Sequence, residues 1–178
     1  FSVIPGAPVA YWLTDKDIKH MSNDKKVADL GESKQGLITS DNERFLRLWF
    51  EVEQEKIRKK WFYYNKGGGY RKWYGLNYYV VNWENEGHDI KAFVDDKGKQ
   101  KSRPQNTQFY FCEGISWCDI STNIFSVRYV SSDFMFDASG PTLFVNEKEY
   151  IKYLCGLLNT NVAQRYLDVI CQGLHYST

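Results

Sequence analysis

The chain has 178 residues, enough for one domain with a sizeable core, and its 43% hydrophobic and 25% charged residues exclude a disordered or fibrous protein. No apolar run approaches the roughly 18 residues of a membrane span and no signal peptide is evident, so a protein without membrane association, in the cytoplasm, is expected. The formal charge of +1 hides an uneven distribution: 55–72 holds seven Lys or Arg against one acid, whereas 15–55 is richer in acids, which predicts a basic face and an acidic one.

In chain order, IPGAPVAYWLT reads as a lead-in loop, and DKDIKHMSN as a short helix capped by Thr14 or Asp15. The polar, glycine-containing stretch 22–42 reads as mostly loop. RFLRLWFEVEQEKI fits helical spacing through Phe45, Leu48 and Trp49, and its alternation fits a strand equally. Aromatic and β-branched runs predict strands at 60–64, 77–81, 108–112, 124–129, 134–136 and 142–145. NWENEGHDIKAF predicts a short helix with Asn82 as cap and Ile90 and Phe93 on one face. Asn146 with Glu149 forms a capping-box pattern ahead of EKEYIKYLCGLLN, and VAQRYLDVICQ continues as a second helix after a break at 159–161.

These elements predict an α+β fold, a twisted and mostly antiparallel sheet with flanking helices and C-terminal helices. One domain is expected over 1–178, with a lead-in segment at 1–40, the sheet and its loops at 41–145, and the closing helices at 146–178.

The stretch WFYYNKGGGYRKWYG concentrates seven aromatic residues, Gly67, Gly68 and Gly69, and the cations Lys66, Arg71 and Lys72. Glycines let a main chain approach a ligand closely, and Arg adds a planar fork for phosphate or a base edge. The spacing matches neither the nucleotide P-loop nor the dinucleotide fingerprint. A plain hairpin tip fits the glycines as well. KSRPQNTQFYF repeats the question, because Arg103, Gln105 and Asn106 are residue types that pair with base edges. Trp117 reads as core. The four cysteines, Cys112, Cys118, Cys155 and Cys171, have no CxxC spacing and no nearby histidine, so no metal site is expected, and thiols in a reducing compartment are. His20, His88 and His175 sit beside no nucleophile motif, and Glu84, Glu86 and Asp89 read as a solvated helix face.

GLITSDNERFLRLWFEV, KWFYYNKGGGYRKWYGLNYYVVNWENEGHDIKAF, SRPQNTQFYFCEGISWCDIS and FSVRYVSSDFMFD resemble the C-terminal target-recognition part of the adenine-specific DNA methyltransferases of BREX phage-defence systems, the PglX family. IPGAPVAYWLTDK is similar to the segment that leads into that part. YLCGLLNTNVAQ resembles the helix closing the recognition domains of type I specificity subunits and of TaqI-like enzymes. The likeness runs over nearly the whole chain.

The resemblance implies a parent enzyme that methylates adenine N6 in DNA with S-adenosylmethionine. Such enzymes carry an Asn-Pro-Pro-aromatic motif, but the prolines here, at 5, 8, 104 and 141, are never adjacent. The chain, which starts on Phe1, therefore reads as an excised, non-catalytic piece with no cofactor of its own. The catalytic domain is expected in the N-terminal part of the parent. The partners implied are double-stranded DNA, that methyltransferase domain and other defence-system subunits.

By the same resemblance, loops leaving the sheet enter the major groove. Lys66, Lys72 and Arg128 are expected at phosphates, and Tyr70, Arg71, Arg103, Gln105 and Asn106 at base edges, with Gly67, Gly68 and Gly69 allowing close approach. Two other classes fit the composition. One is a protein-interaction module that docks a defence-complex subunit or a phage protein mimicking DNA. The other is a carbohydrate-binding module, which would need no basic loops.

Overall fold

The computed structural model describes residues 12–22, 26–121, 124–171 and 175–176. Its first element, α1 (Asp15–Met21), begins where Thr14 accepts a hydrogen bond from the Asp17 amide and the Asp17 carboxylate accepts from the Thr14 amide, a reciprocal cap. The lead-in loop expected before Trp12 lies outside the described residues.

The strands form two four-stranded sheets. The first runs in the order β1 (Gly31–Lys34), β8 (Thr142–Val145), β5 (Gly114–Ser116), β6 (Arg128–Val130), antiparallel throughout. The second runs β2 (Leu46–Leu48), β4 (Tyr79–Asn82), β3 (Trp61–Asn65), β7 (Phe134–Phe136), with only the β3–β7 pair parallel. The expected α+β, mostly antiparallel class holds, with its strands divided between two sheets.

The helices close the open faces. After α2 (Asn42–Phe45) and α3 (Glu84–Lys91), α4 (Tyr150–Leu158) lays Ile151, Leu154 and Cys155 on Ile115, Trp117, Phe125, Val127 and Leu143. A second, aromatic cluster joins the sheets: Phe144 of β8 packs edge-on to Phe136 of β7 with ring centres 5.1 Å apart and stacks on Phe109 at 4.6 Å. The last helix, α5 (Asn161–Ile170), is capped by Thr160 and docks α1 through the Arg165–Asp17 ion pair at 2.6 Å, with Val169 against Leu13 and Met21. No described helix is long and apolar enough to cross a membrane.

Several local expectations change. The stretch 22–42 contains β1, whose polar GESK sequence pairs with β8 along one edge and buries only Gly31. RFLRLWFEVEQEKI is neither one helix nor one strand, because α2 gives way to β2 and then to two single 3-10 turns. Residues 108–112 turn instead of extending: Asn106 and Phe111 take left-handed backbone angles on either side of a 3-10 turn, which drives Phe109 and Tyr110 into the aromatic core. In 124–129 only the end pairs, as β6. The first turn of α3 is left-handed at Asn85, Glu86 and Gly87, although Asn82 does accept from the Glu84 amide. Glu149, at the start of α4, has helical angles and makes no side-chain cap, because a tight turn bonded from Tyr150 to Glu147 already leads into the helix.

Candidate nucleic-acid interface

The glycine-rich stretch becomes the 66–78 connection from β3 to β4, and it is not a free hairpin tip. Its middle is tied at four points to β6 of the other sheet, the residues leading into it and the end of α4. The Arg71 amide donates to Ser126 Oγ at 3.1 Å, Lys72 Nζ to the Asn159 carbonyl at 2.8 Å, and the Trp73 amide to Val127 O at 3.0 Å. The Tyr129 amide returns a bond to Trp73 O at 2.9 Å. Asn159, at the C-terminus of α4, clamps the same strand by exchanging two bonds with Val127. The connection therefore bridges both sheets and is held open.

Its glycines differ in role. Gly67 is buried with φ +82, and a Cβ there would lie 2.6 Å from Ser139 O, so both conformation and space demand glycine. Gly68 and Gly69 are exposed, and Gly69 faces open space with no atom within 4 Å of a Cβ position. Tyr70 and Arg71 are exposed beside them. The Arg71 guanidinium makes no hydrogen bond or ion pair with any described residue. Lys66, half-buried, has its ammonium 3.9 Å from Asp137 Oδ2.

The second predicted loop meets the first through the strap 35–42. Arg103 and Ile38 exchange backbone hydrogen bonds at 2.8 and 3.0 Å, and Asn106 Nδ2 donates to Gln35 O at 2.8 Å. On the other side of the strap, Leu37 accepts from the Tyr64 hydroxyl, and Lys66 and Asp137 share a groove of about 290 Å³ with Ile38, Thr39, Ser40 and Asn42. Arg103 is exposed and its guanidinium, like that of Arg71, has no partner among the described residues. Gln105 is half-buried, with Nε2 enclosed and unbonded.

Arg128 does not join this surface. Its place in β6 turns the side chain inward, where it is 1% exposed and donates through Nη2 to Asn65 Oδ1 at 2.9 Å, so the expected phosphate contact is corrected to an internal one. Asn65 in turn donates to Ser116 Oγ at 2.7 Å. Burial lowers the Arg128 pKa to about 10, since the charged form is stripped of water. Trp117 lies in the core as expected, and His88 is on the surface.

No protein-family model matches the chain. It is 36% identical over 189 aligned residues to the adenine-specific methyltransferase PglX of Lacticaseibacillus casei (strain Zhang), and 34% identical over 188 to the adenine-specific methyltransferase BrxX of Escherichia coli O9:H4 (strain HS). These alignments cover 99% and 100% of the chain. The chain belongs to the PglX and BrxX family of adenine-specific methyltransferases. It spans 16% and 15% of the length of those two relatives.

The methyltransferase name of the relatives implies a methyl donor, and the glycine run after β3 does not fit one. The glycine run after β3 leads across to β4 and not onto a helix N-terminus, the arrangement that glycine-rich cofactor turns require. The described residues also hold no cluster of three His, Cys, Asp or Glu side chains able to bind a metal. What sequence reading left out of the interface is a set of exposed rings, Trp73, Tyr74 and Tyr78 on the connection and the adjoining Trp49 and Phe50. The density of rings in WYGLNYY was the available signal for Trp73, Tyr74 and Tyr78, but which rings stay outside depends on the four ties to the β6 segment of the first sheet and to the end of α4.

Proposed function

We propose that the chain is the sequence-specific double-stranded DNA recognition domain of an adenine-N6 DNA methyltransferase of the BREX phage-defence type, acting in the cytoplasm. The observation that carries this reading is the pair of unpartnered guanidinium groups, Arg71 and Arg103, on two exposed loops: the one carrying Arg103 is bonded to the strap 35–42, and the one carrying Arg71 starts at Lys66, which lines a groove with that strap. A guanidinium without an internal acid is poised for a guanine edge or a phosphate. Tyr70 and Gln105 flank them as further base readers. Asn106 has committed one amide hydrogen to Gln35 O and keeps Oδ1 as an acceptor. Lys66 and Lys72 face phosphates, and Gly68 and Gly69 admit the DNA backbone.

In this reading the chain supplies recognition and no chemistry. Transfer of the methyl group from S-adenosylmethionine belongs to the methyltransferase domain elsewhere in the parent, which the recognition loops hold in register on the duplex.

The test is anisotropy titration of the full-length protein with cognate and scrambled duplexes across a salt series. Each phosphate contact contributes a slope of about −0.9 in log K against log salt. Arg71→Ala and Arg103→Ala are each expected to cost about 1 to 3 kcal/mol on the cognate duplex and less on the scrambled one. Equal losses on both duplexes would remove the base-reading role, and an absence of binding at low salt would overturn the function. A salt-insensitive interface with a protein would be the outcome of the competing reading.

A further inference from the structure

Beside the recognition loops lies a pocket of about 290 Å³ lined by Trp73, Tyr74, Tyr129, Lys152 and Cys155. We propose that it receives a single unstacked nucleobase of the bound DNA, a role that rests on the DNA-recognition reading and adds a second kind of contact to it.

Three features point to this occupant. The first is that the walls are aromatic and unoccupied. Trp73 is 56% and Tyr74 64% exposed, and among the described residues neither ring packs on another ring or hydrogen-bonds through its polar atom. Every base has a π-face that can stack on such walls, whatever its sequence identity.

The second is that the pocket is presented rigidly. Trp73 adopts φ +73, a left-handed conformation disfavoured for a bulky residue, and keeps it because its amide and carbonyl are both bonded to the strand that carries Val127 and Tyr129. Tyr129, the third wall, is fixed by its hydroxyl donating to Glu113 Oε2 at 2.9 Å. The floor is the buried Cys155 of α4.

The third is charge. Among the residues lining the pocket there is no acid; Lys152 at its side makes no ion pair among the described residues, although its charge acts on Glu113, the carboxylate behind Tyr129 that Lys148 already pairs, and the neighbouring Arg71 leaves its guanidinium free. Aromatic walls with a cationic surround fit a planar ring joined to a phosphate. A sugar-binding site of this kind would carry carboxylates or amides to meet hydroxyl groups, and none lines this one.

The experiment uses the full-length protein, an intact random-sequence duplex, and the same duplex with one unpaired 2-aminopurine, which is already free to leave the stack. The expected result is tighter binding of the bulged duplex and a fall in 2-aminopurine emission as the base stacks on the rings. Loss of one base–aromatic stack predicts that Trp73→Ala and Tyr74→Ala each reduce the preference for the bulged duplex by about 5- to 150-fold. Trp73→Phe should keep most of it, and Tyr74→Ala, at an exposed ring, guards against a folding defect at Trp73. Salt-sensitive binding of both duplexes with equal affinity and unchanged emission would overturn the pocket and leave DNA recognition standing. Quenching that survives both alanine variants would also overturn the pocket. No binding of either duplex at low salt would overturn both.

Discussion

Tyr64 shows how much of the candidate interface rests on one buried side chain. It is fully enclosed, and its hydroxyl donates toward Leu37 O at 2.9 Å and Asp137 Oδ2 at 2.6 Å, so it fastens the strap 35–42 to the turn after β7 that Lys66 also faces. Burial raises its pKa well above the ordinary value of 10, and the Asp137 charge raises it further. Burial raises Tyr110 as well. A raised folded-state pKa gives stability that is complete below the unfolded value and is lost as pH climbs above it, because only the unfolded chain then releases the proton. The protein should therefore lose stability progressively above pH 10, the ordinary tyrosine pKa, with Tyr64 and Tyr110 ionising only as it unfolds. Tyr64→Phe removes the hydroxyl donor to Asp137 Oδ2, leaving the carboxylate its Ser139 bonds through Oδ1, and is expected to cost about 1 to 3 kcal/mol at neutral pH while making the alkaline loss shallower. Urea midpoints against pH, with phenolate absorbance followed in parallel, measure both effects. An unchanged alkaline slope in the variant would assign that loss to other groups.

At the scale of elements, α1 depends on its cap more than on its length. Seven residues form a marginal helix in water, so the Thr14–Asp17 exchange and the Asp17–Arg165 pair with α5 must hold it. Thr14→Ala should cost about 1 kcal/mol and speed amide exchange across α1 selectively. Equal acceleration in β3 would show instead that the change acts globally. This helix was legible because a cap and its reciprocal acid sit at fixed spacing, and α4 and α5 because apolar residues recur with the helical period. What was not legible lacks such local signals. The strand β1 is polar and owes its extension to β8. The run 108–112 has strand composition, but two left-handed residues turn its rings into the core. The candidate site divides in the same way. Loop composition marked Arg71 and Arg103, whereas the inward direction of Arg128 follows from strand register and the face that register buries.

Across the whole molecule, the two sheets are joined by a buried polar chain from Ser116 through Asn65 to Arg128, and the 66–78 connection leaves β3 immediately after Asn65 and docks beside Arg128. Arg128 is costly there, since its Nε and Nη1 are enclosed without partners. Its retention makes sense if it fixes how the sheets, and with them the loops, sit together, a specificity role that buried ionic groups serve in some proteins. The hypothesis separates two substitutions. Asn65→Ala strips the Arg128 guanidinium of its only hydrogen-bond acceptor among the described residues and is expected to destabilise by about 3 to 5 kcal/mol, as does breaking a buried charged contact from one side. Arg128→Met removes the under-satisfied cation itself, so the lost desolvation cost offsets the orphaned Asn65 oxygen and stability should change by only about 1 kcal/mol. DNA affinity should nevertheless fall in the methionine variant, because the connection loses its fixed seat between the sheets. Urea midpoints and duplex titrations on the same two preparations test this: stable Arg128→Met protein with unimpaired DNA binding would mean that Arg128 does not position the loops.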